Sequence, residues 1–213
     1  MRDPENIVSE MRKHSELFGR KKFKCNDLMV NGSPLMLSRM AQIISKHNLG
    51  FSWGGMARAR KDMSIEQSCV WQKGGCTYLT YGVESGSSAV LAHMGKPSPA
   101  VLALSFRTAH EAGIRVNTLW MVGYLREGWL DFLQTMIFLA RNRRWIDEFV
   151  SVSCCYIPRL SWLGLHAQEL GITYDAHGDW RRGIGNNGCL RRLRRKILLS
   201  FAKALGIYWG GIS

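Results

Sequence analysis

Strand-type runs begin at Lys22, Phe51, Thr77, Arg115 and Phe149, each followed by a helix-type stretch. Their spacing of about 30 residues is that of a strand-helix-strand crossover, and it constrains the fold more than any other feature of the chain. Such crossovers are right-handed, so they set the helices outside and gather the strand C-termini on one rim. The pattern predicts an α/β chain with an open parallel sheet or an incomplete barrel. The series opens on a helix with no strand before it, as though its first strand were lacking.

Local signals set the elements. Asp3 before Pro4 reads as an N-cap and first turn, with Ile7, Met11, His14 and Phe18 on one face and Gly19 as the stop. Ser33-Pro34 opens a second helix, and Ser64 with Gln67 reads as a capping box for a third. Ser98-Pro99 starts the next, ending at Gly113, and Arg115 to Val122 is a nearly continuous apolar strand. Trp129, Phe132, Leu133, Met136, Ile137 and Ala140 keep helical spacing over a face wide enough to cover a sheet. Phe149 to Ile157 is a fifth strand, closed by Pro158, and Leu163, Ala167 and Leu170 make a short helix ending at Gly171. The last helix carries Leu190, Leu193, Ile197, Leu198, Phe201 and Leu205, with its arginines expected on the outer face.

Ligands of parallel α/β folds bind at the strand C-termini, so the residues there are the candidate site. The rim collects Asn26 and Asp27, Arg58, Glu84 and Ser85, Met121-Val122-Gly123 with Glu127 beyond, and Ile157 before Pro158. A carboxylate pairs with vicinal hydroxyls, arginine takes an acid, and backbone beside glycine grips a purine edge, so the set suits a zwitterionic ligand bearing a sugar. Each residue also has a structural reading: Arg58 capping carbonyls, Glu84 pairing with Arg58, Asp27 capping its turn.

Lysine and arginine outnumber aspartate and glutamate by 29 to 16, a formal charge of +13, which makes an anionic partner such as nucleic acid a candidate. The excess lies in Arg20 to Lys24, Arg141 to Arg144 and Arg181 to Lys196, without the interleaved aromatics of a nucleic-acid site. The first residues lack an apolar signal core, and the window Ile197 to Trp209 falls short of the ~20 residues of a bilayer span, so a cytoplasmic chain without a membrane span is expected. Six cysteines in no regular spacing fit a reduced protein with buried thiols, and the six histidines have no metal-ligand spacing.

Tyr81-Gly82-Val83-Glu84-Ser85-Gly86-Ser87 with Val90-Leu91, then Met94-Gly95-Lys96, then Ala109 to Val116, then Met121-Val122-Gly123 and Glu127, resembles the central part of the radical SAM enzymes. The likeness is to the branch that often carries an N-terminal cobalamin-binding domain, and it runs from Arg2 to Ile172. It implies a partial (βα)6 TIM-like barrel lacking its first strand, residues 1-172, followed by a basic helical extension, 173-213. It further implies a [4Fe-4S] cluster and S-adenosylmethionine meeting at the strand ends to yield a 5'-deoxyadenosyl radical. By motif, Glu84 and Ser85 match the ribose-contacting strand end, and Met121-Val122-Gly123 with Glu127 the adenine-supporting one. Asn26 and Asp27 stand near the methionine amine. Arg58 is assigned to the methionine carboxylate on chemistry more than motif.

The chain departs from the family in two places. The cluster-binding Cys-x3-Cys-x2-Cys spacing does not occur among Cys25, Cys69, Cys76, Cys154, Cys155 and Cys189. Tyr124-Leu125-Arg126 stands where the family usually has a Phe-Pro-Gly turn. The expectation is therefore the C-terminal part of a radical SAM catalytic domain, completed by an N-terminal segment or a partner chain that supplies the cluster. The alternative is a cluster-free, degenerate barrel that binds a nucleoside-like ligand or a partner, with Leu190 to Lys196 as an RNA or membrane-surface contact. A further expectation is an unpaired edge on the strand from Lys22 to Leu28, unless the first helix covers it.

Overall fold

The computed structural model describes residues 3-210, so Arg2, where the family resemblance begins, lies outside the described residues. Strands β1 (Lys22–Cys25), β2 (Ser52–Ala57), β3 (Cys76–Glu84), β4 (Arg115–Val122), β5 (Glu148–Cys154) and β8 (Tyr208–Trp209) form one sheet in that spatial order. The sheet is parallel, as the crossover spacing requires, and a separate antiparallel pair joins β6 (Thr173–Tyr174) to β7 (Trp180–Arg181). The helices are α1 (Pro4–Phe18), α2 (Pro34–Lys46), α3 (Ile65–Lys73), α4 (Ser88–His93), α5 (Pro99–Glu111), α6 (Trp129–Asn142), α7 (Trp162–Leu165) and α8 (Gly188–Ala204). None of the described helices is long and apolar enough to cross a membrane.

The chain divides into two compact units. The first comprises Met1–Gly82, Ala100–Thr118 and Trp145–Glu148; the second comprises Val83–Pro99, Leu119–Arg144 and Phe149–Ser213.

In the first unit α1 begins as its sequence dictates: the Asp3 carboxylate accepts from Glu5 N–H at 2.9 Å and Pro4 occupies the first turn. β1 is shorter than expected, ending at Cys25, and a 3-10 turn at Val30–Gly32 leads into α2. It stands at one end of the sheet order and, among the described residues, pairs on one side, with β2. Along α1, β1 and α2 lies a hollow of about 950 Å³ lined by Met11, Met29, Met36 and Met40, with Asn26 and Asp27 on its wall. Trp53 is buried on β2 and donates its indole N–H to Gly74 O at 2.8 Å, fastening β2 to the end of α3. The capping box of α3 is one-sided: Ser64 Oγ accepts from Gln67 N–H at 3.2 Å, but Gln67 Oε1 is buried without a partner among the described residues.

In the second unit, the helix faces differ from the periodicity reading. The buried residues of α6 are Phe132, Thr135, Phe138, Leu139 and Asn142, whereas Trp129, Leu133 and Ile137 are exposed. Polar anchors turn the helix: Thr135 bonds to Ser85 and the Trp129 ring lies 4.8 Å from the Arg194 guanidinium. The arginines of α8 also reverse expectation. Arg191 and Arg194 are buried with Leu198 and Ala202, and Leu193, expected inside, is exposed. The short helix α4 and the β6-β7 pair carry too little apolar periodicity to be read from sequence.

Candidate functional site

β3 ends on a strained residue. Glu84 has φ of +65°, in the left-handed region, and Ser85 N–H donates back to Val83 O at 2.8 Å. That i to i+2 bond across a positive φ describes a γ-turn of the rare, strained kind. For a residue with a Cβ the conformation costs about 1–2 kcal/mol, and it persists only where its surroundings hold it.

The surroundings are hydrogen bonds to α6. Ser85 Oγ and Thr135 Oγ1 are 3.0 Å apart, Gly86 N–H donates to Thr135 Oγ1 at 3.0 Å, and Ser87 Oγ donates to Asp131 Oδ1 at 2.7 Å. Ser85 is 1% exposed, so its hydroxyl is spent on the protein and not on a ligand. This revises the expected ribose contact: Ser85 anchors the turn and Glu84 presents the carboxylate. Glu84 Oε1 accepts from Lys96 Nζ at 3.1 Å, and among the described residues Oε2 has no partner. The alternative reading, in which Glu84 pairs with Arg58, gives way to a pair with Lys96.

At the end of β4, Gly123 (φ +76°) is enclosed. Its N–H donates to the Glu127 carboxylate and its carbonyl accepts from Asn186 Nδ2 at 3.2 Å. A Cβ there would stand 2.2 Å from Arg191 Cγ, so Arg191 fills the space over this backbone. The purine-edge role expected of Gly123 therefore meets backbone groups already satisfied and covered. Val122 is also fully buried, and Met121 is half-buried. The Tyr124-Leu125-Arg126 stretch still closes a turn, with Glu127 N–H donating to Tyr124 O at 2.8 Å.

Glu127 is buried, and burial is the main cause that pushes its carboxyl up to about 7, against the Gly123 N–H and the nearby Arg194 guanidinium. Arg194 donates to Glu127 O at 3.1 Å and Gly185 O at 3.2 Å, and lies 3.4 Å from Glu127 Oε2. Arg191 stacks over the Trp180 ring at 4.1 Å and donates to Asp179 Oδ1, Trp180 O and Asn186 Oδ1. Asn186, Arg191 and Arg194 therefore clamp the β4 turn; sequence reading missed all three, the two arginines because surface arginine is the ordinary case. Ile157 is buried in a cluster with Leu125, Cys155, Ile172 and Trp180, and its carbonyl accepts from Tyr174 Oη at 3.2 Å. Its backbone is thus also engaged within the protein.

The first unit holds the remaining candidates. Asn26 and Asp27 follow β1 in exposed positions. The Arg58 side chain is exposed, while its backbone is gripped by the buried Asn31: Asn31 Nδ2 donates to Arg58 O at 2.8 Å, and Arg58 N–H donates to Asn31 Oδ1 at 2.9 Å. Asn31, unremarked in the sequence, is what fixes the end of β2.

The residues present do not fit an iron-sulfur cluster. Among the described residues no group of three histidine, cysteine or acidic side chains could hold a metal ion. Burial pushes the thiols of Cys25 up to about 11 and Cys155 up to about 12, and that of Cys76 above its ordinary range. Glu84 offers a half-buried carboxylate at the end of β3, with one oxygen taken by Lys96.

No family model and no curated protein matches the chain. Solved structures share its fold. Coproporphyrinogen III oxidase (HemN) from Escherichia coli, a radical SAM enzyme, aligns with a TM-score of 0.65 and 13% identity, over 95% of this chain and 46% of its own. TsrM from Kitasatospora setae, a radical S-adenosylmethionine methyltransferase with cobalamin and a [4Fe-4S] cluster bound, aligns at 0.71 and 13%, over 96% and 46%. OxsB, a cobalamin-dependent S-adenosylmethionine radical enzyme, aligns at 0.57 and 16%, over 78% and 25%. The chain spans less than half the length of these proteins. At these identities the likeness is one of fold: α/β, with a parallel sheet and flanking helices matching the radical SAM barrel.

Proposed function

We propose that this chain is part of a radical SAM enzyme and binds the adenosyl moiety of S-adenosylmethionine at the end of β3. Glu84 takes the ribose hydroxyls, and the β4 end, with Met121 rather than the saturated Gly123, supports the base. The observation that carries the reading is the γ-turn at Glu84: a strained, non-glycine backbone sewn to α6 presents a carboxylate with an unused oxygen at a strand C-terminus. In the complete protein a [4Fe-4S] cluster would supply reductive cleavage of the cosubstrate, with its thiolates contributed from outside these 213 residues. Methyl transfer or methylthiolation, with cobalamin as an added cofactor, is the reaction class in view. Residues 173-213 act as an extension whose helix α8 holds the β4 turn in place.

Titration of the chain with S-adenosylhomocysteine tests the reading. Saturable binding is expected, lost in Glu84→Ala at an unchanged unfolding midpoint. A folded wild-type chain that binds no adenosyl compound would overturn it.

A second reading, a cluster-free module that binds a nucleoside or partner, draws on the lack of a thiolate set among the described residues. Anaerobic reconstitution with iron and sulfide separates the two once the full-length protein is used: a stable chromophore there supports the enzyme, and its absence supports the module.

A further inference from the structure

We propose that Lys96 is a positioning residue that aims Glu84 at the vicinal hydroxyls of a bound nucleoside. The inference rests on the reading of Glu84 as the ribose contact and adds to it a residue on the far side of α4.

The loop after β3 leaves the sheet, makes the short helix α4 and then returns, and the return is built into the helix end. Gly95 N–H donates to Ala92 O at 3.1 Å and Lys96 N–H donates to Leu91 O at 2.9 Å, with Gly95 at φ +64°. These are the paired 5→2 and 6→1 bonds of a Schellman motif, with the left-handed residue at its usual place. Leu91 is buried, so the motif is fastened to the core and Lys96 leaves it in a fixed direction. Twelve positions after Glu84, its ammonium meets Oε1 at 3.1 Å.

The two side chains are 35% and 21% exposed, too open for the pair to matter much to folding. Its geometry matters more. A glutamate side chain has three rotatable bonds, and a carboxylate fixed at one oxygen loses most of that freedom before a ligand arrives, which is how preorganisation raises affinity. The backbone of Glu84 is already locked by the Ser85, Gly86 and Ser87 bonds to α6. Lys96 extends that lock to the end of the side chain and leaves Oε2 to accept a hydroxyl. Lys96 does not itself touch the reacting atoms.

The test compares S-adenosylhomocysteine with its 2'-deoxy analogue on wild type, Lys96→Met, Lys96→Arg and Gly95→Ala. A charged acceptor for the hydroxyl gives the wild type a preference for the ribose compound of about ten-fold or more. In Lys96→Met that preference is expected to fall below about three-fold, with affinity for the deoxy analogue unchanged, because preorganisation of the acceptor is lost and nothing else. Lys96→Arg is expected to restore most of it. Gly95→Ala has open space for its Cβ but a strained backbone, and is expected to give an intermediate value. Unfolding midpoints of all variants serve as the control for folding. Undiminished ribose preference in Lys96→Met overturns the inference, and so does an equal loss for both compounds, which would mark a general charge effect. Failure of the wild type to bind either compound would instead overturn the nucleoside reading on which it stands.

Discussion

Gly123→Ala puts a number on the clamp that α8 places over β4. The new Cβ would stand 2.2 Å from Arg191 Cγ and 2.4 Å from Cδ. These atoms are the stem of the side chain, so the guanidinium must leave its bonds to Asp179, Trp180 and Asn186 for the methyl to fit. Loss of such charge-assisted bonds by a buried group costs about 2–3 kcal/mol. A non-glycine residue in the left-handed region adds about 1 kcal/mol. The single substitution should therefore destabilise by about 3–4 kcal/mol, read as a fall in urea midpoint at constant m-value. In an Arg191→Ala background Cγ and Cδ are gone, and the same substitution should cost only the backbone share, about 1 kcal/mol. The cycle thus predicts a coupling of about 2–3 kcal/mol between sites 68 positions apart in sequence. Additive costs, within about 0.5 kcal/mol, would refute the claim that Arg191 occupies the space over Gly123.

Three further outcomes follow from the same geometry. Glu127 titrates near 7 in the fold against an ordinary 4.5, so between those values the folded chain holds the proton that the unfolded chain releases. Stability conferred by that proton should fall as pH rises from about 4.5 through about 7, and the slope should vanish in Glu127→Gln, measured by urea unfolding against pH. Ser85→Ala should cost about 1–3 kcal/mol, because Thr135 Oγ1 and Ser87 N–H lose a buried partner, while leaving the Glu84 carboxylate in place. Glu84→Gly should stay within about 1 kcal/mol of wild type, relief of backbone strain offsetting the lost pair with Lys96, yet should lose S-adenosylhomocysteine binding. A marked destabilisation by Glu84→Gly would mean that the turn is not strained.

The sequence carried the strand-helix alternation, because crossover spacing and the caps at Asp3, Ser33 and Ser64 are local signals. It also pointed to Glu84 at the end of β3, whose carboxylate accepts from Lys96 through one oxygen. What it could not carry was partnership over distance. Ser85 reads as a free hydroxyl until Thr135, fifty positions on, is seen to claim it. Arg191 and Arg194 read as surface charge, since nothing in the run Leu190 to Lys196 tells which arginines find carbonyls and aromatic rings inside. The apolar stripe of α6 was misplaced for the same reason: Thr135 and Asn142 are on its buried face, where a hydropathy pattern counts them as polar.

Among the described residues β1 is hydrogen-bonded on one flank, beside a hollow walled by methionines. Along such a strand alternate amides point outward, and their exchange with deuterium is governed by local opening instead of the stability of the whole. Residues 22-25 are thus a built-in reporter. Any segment that came to lie along them would slow every second amide and leave the others untouched, a signature distinct from a general tightening of the fold.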